Sequence, residues 1–323
     1  MYAVAKEIGP EKLNMKDVFG RTMKELATED PDVVYFDCDL INSIGMTDFS
    51  KEFPERTVDC GIQEANMISA ASGASLLGLK PFVHTFGTFA SRRVMDQVFI
   101  SAAYARSNIR IFGSDEGVSA ATNGGTHMPL EDVAMMRAVP GITILDVTDC
   151  AMLADLMRKT KDRYGVFYLR MARKIVDHVY EEGSTFEIGK AATLREGTDV
   201  TLFCAGFCVA DAVRASQILE EQGVSAAVQN MFTIKPIDRE AVIEAARETG
   251  AIVTVENHNI INGLGSAVAE VLVETDPVPM ERIGTRDVFG EVGSVDYLKK
   301  KFHMTPEDIA EAARKAIARK REP

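Results

Sequence analysis

Glu64 is the first residue whose type and position suggest chemistry. It lies in the segment D-C-G-I-Q-E-A-N-M, residues 59–67, where a short strand is expected to give way to a helix of small and apolar residues. A carboxylate at a helix start is favoured by the helix macrodipole and needs no functional explanation. Withdrawn from water, the same carboxyl could instead share a proton with a nitrogen atom of a ligand. The local sequence leaves both interpretations open.

An aromatic pair occupies a similar junction in H-T-F-G-T-F-A-S-R-R, residues 84–93. Phe86 and Phe89 are three residues apart, which suits core packing and equally suits a wall against a planar ring. Arg92 and Arg93 follow directly. They are either solvated or paired, and one of them could bind an anion.

A long loop of small residues, S-D-E-G-V-S-A-A-T-N-G-G-T-H-M-P, occupies residues 114–129. It contains one histidine, His127, on the carboxyl side of an expected strand. A single histidine often has a structural role. A neutral imidazole in a polar loop can also polarise or deprotonate a sugar hydroxyl.

Other common site signatures are absent from the sequence. There is no G-x-x-x-x-G-K-[ST] phosphate loop, and G-L-G-S-A-V at residues 263–268 is only partly like a dinucleotide fingerprint. No set of histidines, cysteines and carboxylates has a spacing typical of metal ligands. The sequence therefore predicts no metal ligands in this chain.

Composition narrows the classes of function. The 323 residues carry a formal net charge of −12, which argues against binding to nucleic acid or to an anionic membrane. No apolar run approaches the ~20 residues of a membrane span, and the N-terminus lacks the apolar core of a signal peptide. Five widely spaced cysteines without a CxxC pair indicate reduced thiols and a cytoplasmic protein.

The first half of the chain alternates short apolar runs with helical patterns. Strands are predicted near residues 32–40, 56–61, 80–86, 109–115, 142–147 and 165–171, and a long helix from Phe89 to Arg106. Such alternation predicts a parallel sheet covered by helices on both faces. Ligand groups are then expected at the carboxyl ends of the strands.

A second α/β unit follows a charged, Gly-containing connection at residues 172–198. Its strands are predicted near 199–206, 225–232 and 251–257, and a final helix is predicted to begin at a Thr305 cap. We therefore expect two domains, residues 1–180 and 181–323. Each is expected to be a mostly parallel sheet flanked by helices.

In combination, these motifs resemble the pyrimidine-binding and C-terminal domains of transketolase. The resemblance runs in order from about residue 15 to 300 and includes G-I-Q-E, T-F-G-T-F and T-H-M-P-L-E-D, a specific combination. A pyrophosphate-binding domain with its G-D-G…N motif is not found. The resemblance therefore implies the smaller, C-terminal subunit of a split transketolase. It also implies an N-terminal partner subunit in an α2β2 heterotetramer.

The resemblance implies thiamine diphosphate as cofactor, with Mg²⁺ and the diphosphate held mainly by the partner. Glu64 matches the glutamate that bonds N1′ of the aminopyrimidine and promotes loss of the thiazolium C2 proton. Phe86 and Phe89 match the aromatic pocket around that ring, and Asp39 matches an aspartate near the cofactor. His127 matches a histidine that contacts substrate hydroxyls.

The implied reaction is transfer of a two-carbon ketol unit between sugar phosphates. Ser43 and Arg170 match residues that bind the substrate phosphate. Lys16 stands where an arginine is usual.

Three further positions depart from the family pattern. Asp115 stands where many members have a phosphate-binding histidine, Asn123 replaces an aspartate, and Arg92 stands where many have a tyrosine. Asp115 would repel a phosphate, whereas Arg92 could compensate for it. These changes suggest an unusual ketose phosphate, such as apulose 4-phosphate.

Three alternatives remain at this point. One is an enzyme like 1-deoxyxylulose-5-phosphate synthase, in which an arginine usually replaces the second aromatic residue, so that Phe89 favours transketolase. Another is the β subunit of a 2-oxo acid dehydrogenase. The third is a non-catalytic regulatory subunit, which would have little reason to retain Glu64.

Overall fold

The computed structural model describes residues 1–320, which form fourteen strands and twelve α-helices. The strands are β1 Val4–Pro10, β2 Val33–Asp37, β3 Thr57–Asp59, β4 Lys80–Phe86, β5 Ile109–Ser114, β6 Thr143–Asp146, β7 Val166–Met171, β8 Asp177–Tyr180, β9 Ala192–Arg195, β10 Val200–Cys204, β11 Ala226–Asn230, β12 Thr233–Lys235, β13 Ile252–Asn259 and β14 Met280–Thr285. The helices are α1 Met15–Glu29, α2 Thr47–Glu52, α3 Glu64–Leu76, α4 Gly87–Ser91, α5 Met95–Gln97, α6 Asp132–Arg137, α7 Cys150–Asp162, α8 Val209–Glu221, α9 Arg239–Thr249, α10 Leu264–Glu274, α11 Val295–Lys301 and α12 Pro306–Ala318. Within these residues, no helix is both long and apolar enough to cross a bilayer.

The first sheet has seven strands in the order β12-β6-β7-β5-β4-β2-β3. All of its pairings are parallel except that of β12 with β6. Every residue of β2, β5 and β7 is buried, as expected for central parallel strands covered on both faces.

The second sheet has five strands in the order β14-β13-β10-β11-β9. Only β9 runs antiparallel to its neighbour. Two mostly parallel sheets flanked by helices confirm the predicted fold class.

The two halves of the chain are interlocked. After β11 of the second sheet, the chain contributes β12 to the edge of the first sheet. Within the first half, β1 pairs antiparallel with β8. Aromatic rings fill the space between the halves: Phe186 lies edge-on to Tyr180, with ring centroids 4.7 Å apart, and to Phe232 at 5.7 Å. One apolar core therefore runs through both halves.

The segment predicted as one helix from Phe89 to Arg106 is broken. It consists of α4, a 3₁₀ turn at Arg92–Val94, α5 and a π-helical segment at Val98–Tyr104. The Ser91 hydroxyl donates to the Gly87 carbonyl at 2.7 Å, a side-chain bond of the kind that bends helices. The predicted start of the last helix is confirmed, because Thr305 and Asp308 form a capping box.

Candidate active site

The carboxyl ends of β5, β4, β2 and β3 lie side by side at one edge of the first sheet. Phe86 ends β4 and pairs with Ser114, which ends β5. Parallel strands present their carboxyl ends to the same side, so the loops that follow them meet there. This edge gathers the three segments that the sequence singled out.

Glu64 is the first residue of α3 and is almost fully buried, with 3% of its surface exposed. Its Oε1 accepts a hydrogen bond from Nη1 of Arg93 at 2.7 Å. Its Oε2 is buried and has no hydrogen-bond partner among residues 1–320. The carboxyl is thus held in place through one oxygen, while the other remains available.

Phe86, Phe89 and His127 form an aromatic cluster beside this carboxyl. The two phenyl rings are tilted with centroids 6.2 Å apart, and the imidazole of His127 lies edge-on to both, at 5.6 and 5.3 Å. The guanidinium of Arg93 lies 3.9 Å from the centre of the Phe89 ring. Arg93 therefore links Glu64 to the aromatic cluster. Sequence reasoning noted Arg93 without assigning it a role.

An ion pair between Asp115 and Arg173 borders the same cluster. Nε and Nη2 of Arg173 donate to the two carboxylate oxygens at 3.1 and 2.8 Å, and the guanidinium lies 5.2 Å from the Phe86 ring centre. The amide of Asn123 donates to Asp115 at 3.1 Å, and Nη1 of Arg173 reaches the Ser43 carbonyl at 3.4 Å. The structure thus brings Ser43, Asp115 and Asn123 together around an arginine that sequence reasoning missed. The signal was available, because Arg173 lies three residues after Arg170, which the resemblance singled out.

Arg170 lies inside the protein, contrary to the expectation that it binds the substrate phosphate. Its side chain is fully buried and donates to Asp132 and Asp146, both at 2.8 Å, and to the Asn257 carbonyl at 2.9 Å. With its donors committed inside the protein, Arg170 is not placed to bind a substrate phosphate. Arg173 is the arginine of this segment that faces the site.

The loop that carries Asp115 and His127 is anchored to the second half of the chain through Asn257. The Asn257 amide accepts from the backbone N–H of Val118 at 2.8 Å and donates to the Glu116 carbonyl at 3.0 Å. Gly117 lies between them with a φ of +42°, and a Cβ there would lie 2.1 Å from Oδ1 of Asn257. This position therefore requires glycine.

The remaining predicted residues lie around the rim of the site. Arg92 is half exposed; its Nε lies 2.9 Å from Glu131, whose pKa is raised by burial, against the lowering influence of the Arg92 charge. Lys16 is half-buried, and its backbone N–H donates to the Arg173 carbonyl at 3.1 Å. Asp39 is exposed just beyond β2 in a left-handed conformation, with φ of 61°.

These residues fit thiamine diphosphate. A planar aminopyrimidine can pack against the aromatic cluster, and one of its ring nitrogens can form a hydrogen bond with the unpartnered Oε2 of Glu64. The fit rests on two observations: Oε2 of Glu64 is buried without a hydrogen-bond partner, and the aromatic cluster lies beside it.

Comparison with known proteins agrees with this geometry. The model of the transketolase pyrimidine-binding domain matches residues 11–177, and that of the transketolase C-terminal domain matches residues 189–309. Together these matches span most of the chain.

Full-length relatives are similar to the chain as well. It is 45% identical to the 6-deoxy-6-sulfo-D-fructose transketolase subunit of Clostridium sp. strain MSTE9 over 314 residues, covering 97% of this chain and 98% of that one. It is 39% identical to an apulose-4-phosphate transketolase subunit of Phocaeicola vulgatus over 270 residues, covering 83% and 86%.

A solved structure has the same fold. A split gene transketolase in the form of an inactive β4 tetramer superposes with a TM-score of 0.89 and 38% identity, covering 96% of this chain and 100% of that chain. This chain belongs to the transketolase family and carries its pyrimidine-binding and C-terminal domains.

Proposed function

We propose that this chain is the catalytic C-terminal subunit of a split, thiamine diphosphate-dependent transketolase. Residues 1–180 form its pyrimidine-binding domain and 181–323 its C-terminal domain. The observation that carries the proposal is the buried carboxyl of Glu64, with one oxygen bound by Arg93 and the other without a partner in the described chain. A buried oxygen without a hydrogen-bond partner destabilises the fold unless a ligand supplies that partner, and N1′ of an aminopyrimidine can do so.

Glu64 holds the proton at N1′, and Arg93 fixes the orientation of the carboxyl from the opposite side. Phe86 and Phe89 cover the pyrimidine and exclude water, which strengthens the hydrogen bond at Glu64. When bound, thiamine diphosphate supplies the electron sink that allows a carbon–carbon bond beside a carbonyl to break and re-form.

His127 is positioned for the sugar. Its Nδ1 lies 2.9 Å from the Thr126 hydroxyl, so Nε2 is the ring nitrogen left to bind a substrate oxygen. Packing against both phenylalanine rings keeps the imidazole next to the cofactor site.

The exposed apolar side chains near α3 support a partner subunit. Ile62 precedes the helix, Leu77 follows it, and Tyr104 ends the π-helical segment that packs on it; these residues are 69%, 86% and 81% exposed. Exposed apolar surface of this kind marks protein interfaces. The partner we propose is the N-terminal transketolase subunit, which supplies the diphosphate and Mg²⁺ sites in an α2β2 assembly.

The ion pair of Asp115 with Arg173 indicates the donor substrate. Arg173 attracts an anionic end of the sugar, and Asp115 repels it in proportion to its charge. A sulfonate has one negative charge, whereas a phosphate carries nearly two at neutral pH. We therefore propose 6-deoxy-6-sulfo-D-fructose as the donor, in agreement with the name of the 45% identical relative.

Apulose 4-phosphate is the second candidate. It is favoured by the name of the 39% identical relative, and Arg173 can accept its phosphate if Asp115 is displaced. Phe89 at the second aromatic position favours either donor over the chemistry of 1-deoxyxylulose-5-phosphate synthase.

The test is reconstitution with an N-terminal transketolase subunit. The complex is assayed with both candidate donors, xylulose 5-phosphate and pyruvate, against one aldose phosphate acceptor. We expect the highest kcat/KM with the sulfonated donor and no transfer by this chain alone. Transfer by the purified single chain would refute the subunit assignment, and a preference for xylulose 5-phosphate would refute the choice of donor. Use of pyruvate with release of CO2 would support a synthase instead.

A further inference from the structure

Two cysteines lie next to each other where β2 and β3 end at the candidate active site. The two strands are parallel neighbours, and Asp37, the last residue of β2, is in register with Asp59, the last residue of β3. The backbone N–H of Cys60 donates to the Asp37 carbonyl at 2.9 Å, so the ladder continues beyond Asp59. Cys38 and Cys60 are the next residues of the two chain segments and are therefore neighbours across them.

Both thiols lie on the same face of the sheet. Side chains of a strand alternate between faces, and Phe36 and Cys38 belong to one apolar cluster whereas Tyr35, between them in β2's pattern, belongs to another. Cys60 is half-buried and packs against the cluster that contains Cys38. Neighbouring strands are about 4.8 Å apart, and the Cα atoms of a disulfide are roughly 4.4–6.8 Å apart. The backbone therefore already brings the two cysteines within disulfide distance.

The cysteine pair flanks the start of α3, which carries Glu64. Cys60 precedes Glu64 by four residues, across a turn at Gly61 with a φ of +65°. Sγ of Cys38 lies 3.4 Å from Sδ of Met67, in the first turns of the same helix. A bond between the two cysteines would take the Cys38 sulfur away from Met67 and tie the turn at Gly61 to the end of β2. Both changes act on the segment that positions Glu64.

Access and acidity decide how the pair reacts. Cys60 is partly exposed to solvent, whereas Cys38 is buried. Burial raises the pKa of Cys38 to about 12 and also raises the pKa of Cys60, so both groups are thiols at neutral pH. Because the thiolate is the form that attacks a disulfide, exchange should be slow at pH 7 and faster at higher pH. The resting state of the pair is therefore the reduced one.

We propose that Cys38 and Cys60 form a reversible disulfide that weakens cofactor binding at Glu64. The thiolate of Cys60 attacks a small disulfide such as oxidised glutathione, which forms a mixed disulfide and releases one thiol. The thiolate of Cys38 then attacks the Cys60 sulfur and releases the second thiol. The two cysteines are oxidised, the small disulfide is reduced, and the two cysteine protons end on the released thiols. Only the effect on the cofactor rests on the proposed function.

The test oxidises the full-length chain with oxidised glutathione at pH 7 and pH 9, removes the reagent and then adds the N-terminal subunit. Peptide mapping by mass spectrometry, after alkylation of the remaining thiols, locates the bond. We expect a disulfide between Cys38 and Cys60 that forms faster at pH 9. Binding of thiamine diphosphate to the oxidised complex should be weaker by about tenfold or more, the effect of losing one hydrogen bond to a charged group. Dithiothreitol should restore it.

Two variants serve as controls. Cys60→Ser cannot form the bond, and its cofactor affinity should be the same with and without oxidation. Cys150→Ser removes another half-buried cysteine, at the start of α7, and should respond to oxidation as the wild type does.

Formation of mixed disulfides alone, with no bond between Cys38 and Cys60, would overturn the proposal. So would a bond that leaves the Kd of thiamine diphosphate unchanged in an intact complex. If the reduced complex does not bind thiamine diphosphate, the proposed function fails, and hydrogen–deuterium exchange over residues 60–67 of the free chain decides on the switch. Faster exchange after oxidation would support a displaced start of α3, and equal exchange would contradict it.

Discussion

Two arginines three residues apart, Arg170 and Arg173, have opposite surroundings. Each binds an aspartate at 2.8 Å, Asp132 for the first and Asp115 for the second. Arg170 is fully buried, whereas the side chain of Arg173 is 16% exposed and lies over Phe86 at the open edge of the sheet. The ion pair in the interior is therefore fully enclosed, whereas the pair at the edge is partly accessible and is where we propose that the anionic end of the donor binds.

The interior cluster is closed by further polar groups. Tyr168 donates to Asp132 at 2.7 Å, and Glu116 lies 3.5 Å from Arg170. Burial, together with the neighbouring charge of Asp146, raises the pKa of Glu116 well above its usual value. Two arginines with the same kind of partner at the same distance therefore differ in how accessible they are to solvent.

Exchanging each arginine for methionine should separate the two roles most strongly. Arg170→Met leaves buried carboxylates without their cation and should lower the free energy of unfolding by about 3–5 kcal/mol. Arg173→Met leaves the buried carboxylate of Asp115 with Asn123 as its remaining donor and should cost about 1–3 kcal/mol. Urea unfolding of the two variants measures the difference. Equal losses would contradict the distinction between interior and edge.

The interior should also respond to pH through Glu256. This buried carboxyl accepts the N–H groups of Leu264 at 2.7 Å and Gly265 at 2.9 Å, and burial raises its pKa to about 7. A raised pKa means that the folded state prefers the protonated carboxyl. The folded protein is therefore not destabilised by Glu256 below about pH 4.5, the pKa of the unfolded chain, and it loses free energy of unfolding as the pH rises from there through 7. Between pH 5 and 8, wild-type protein should therefore lose up to about 3 kcal/mol of unfolding free energy that Glu256→Gln does not lose.

Urea unfolding at several pH values measures this difference. Glu196→Gln, at an exposed position, is the matched control and should follow the wild type. If the free energy of unfolding changed with pH equally in the wild type and in Glu256→Gln, titration of Glu256 would not be the cause.

Much of the fold was predictable, because alternating strands and helices allow few arrangements. The contributions of β12 to the first sheet and of β1 to β8 were not predicted. These strands are short or lie in segments with a broken apolar pattern, and their partners are distant in the chain. Local periodicity carries no information about such pairings.

The positions of Glu64 at the start of a helix and of Phe86 at the end of a strand were predictable from their motifs, whereas their roles stay predictions. The site was not predictable near β7, since all six of its residues are buried and the usual alternation of inward and outward positions is absent. Without that alternation, the sequence could not show that Arg170 points into the protein and that Arg173 faces the site.

At the edge, Phe89 should contribute directly to cofactor affinity. Its ring is partly exposed beside His127 and carries Arg93 on one face. Phe89→Ala should weaken binding of thiamine diphosphate to the assembled enzyme by roughly 1–3 kcal/mol, and Phe89→Leu, which keeps apolar surface, by less. Cofactor titration measures both, and an unchanged Kd in an intact assembly would place Phe89 in the core.

The smallest effect is expected from Asp115. Asp115→Asn keeps a hydrogen-bond acceptor for Arg173 and removes the charge that disfavours a dianion. The ratio of kcat/KM for phosphate-ended over sulfonate-ended donors should rise about tenfold, which corresponds to roughly 1.4 kcal/mol. A ratio equal to that of the wild type would show that Asp115 does not select between the two anions.

The central claim is that Glu64 moves the proton at N1′ of the bound aminopyrimidine. Quenched-flow measurement of hydrogen–deuterium exchange at C2 of the thiazolium, in the reconstituted complex, tests it most directly. Glu64→Gln keeps the size of the side chain but cannot relay the proton, so the exchange should slow by about 10²–10⁴-fold while assembly is retained. Exchange at the wild-type rate in an intact complex would contradict the account.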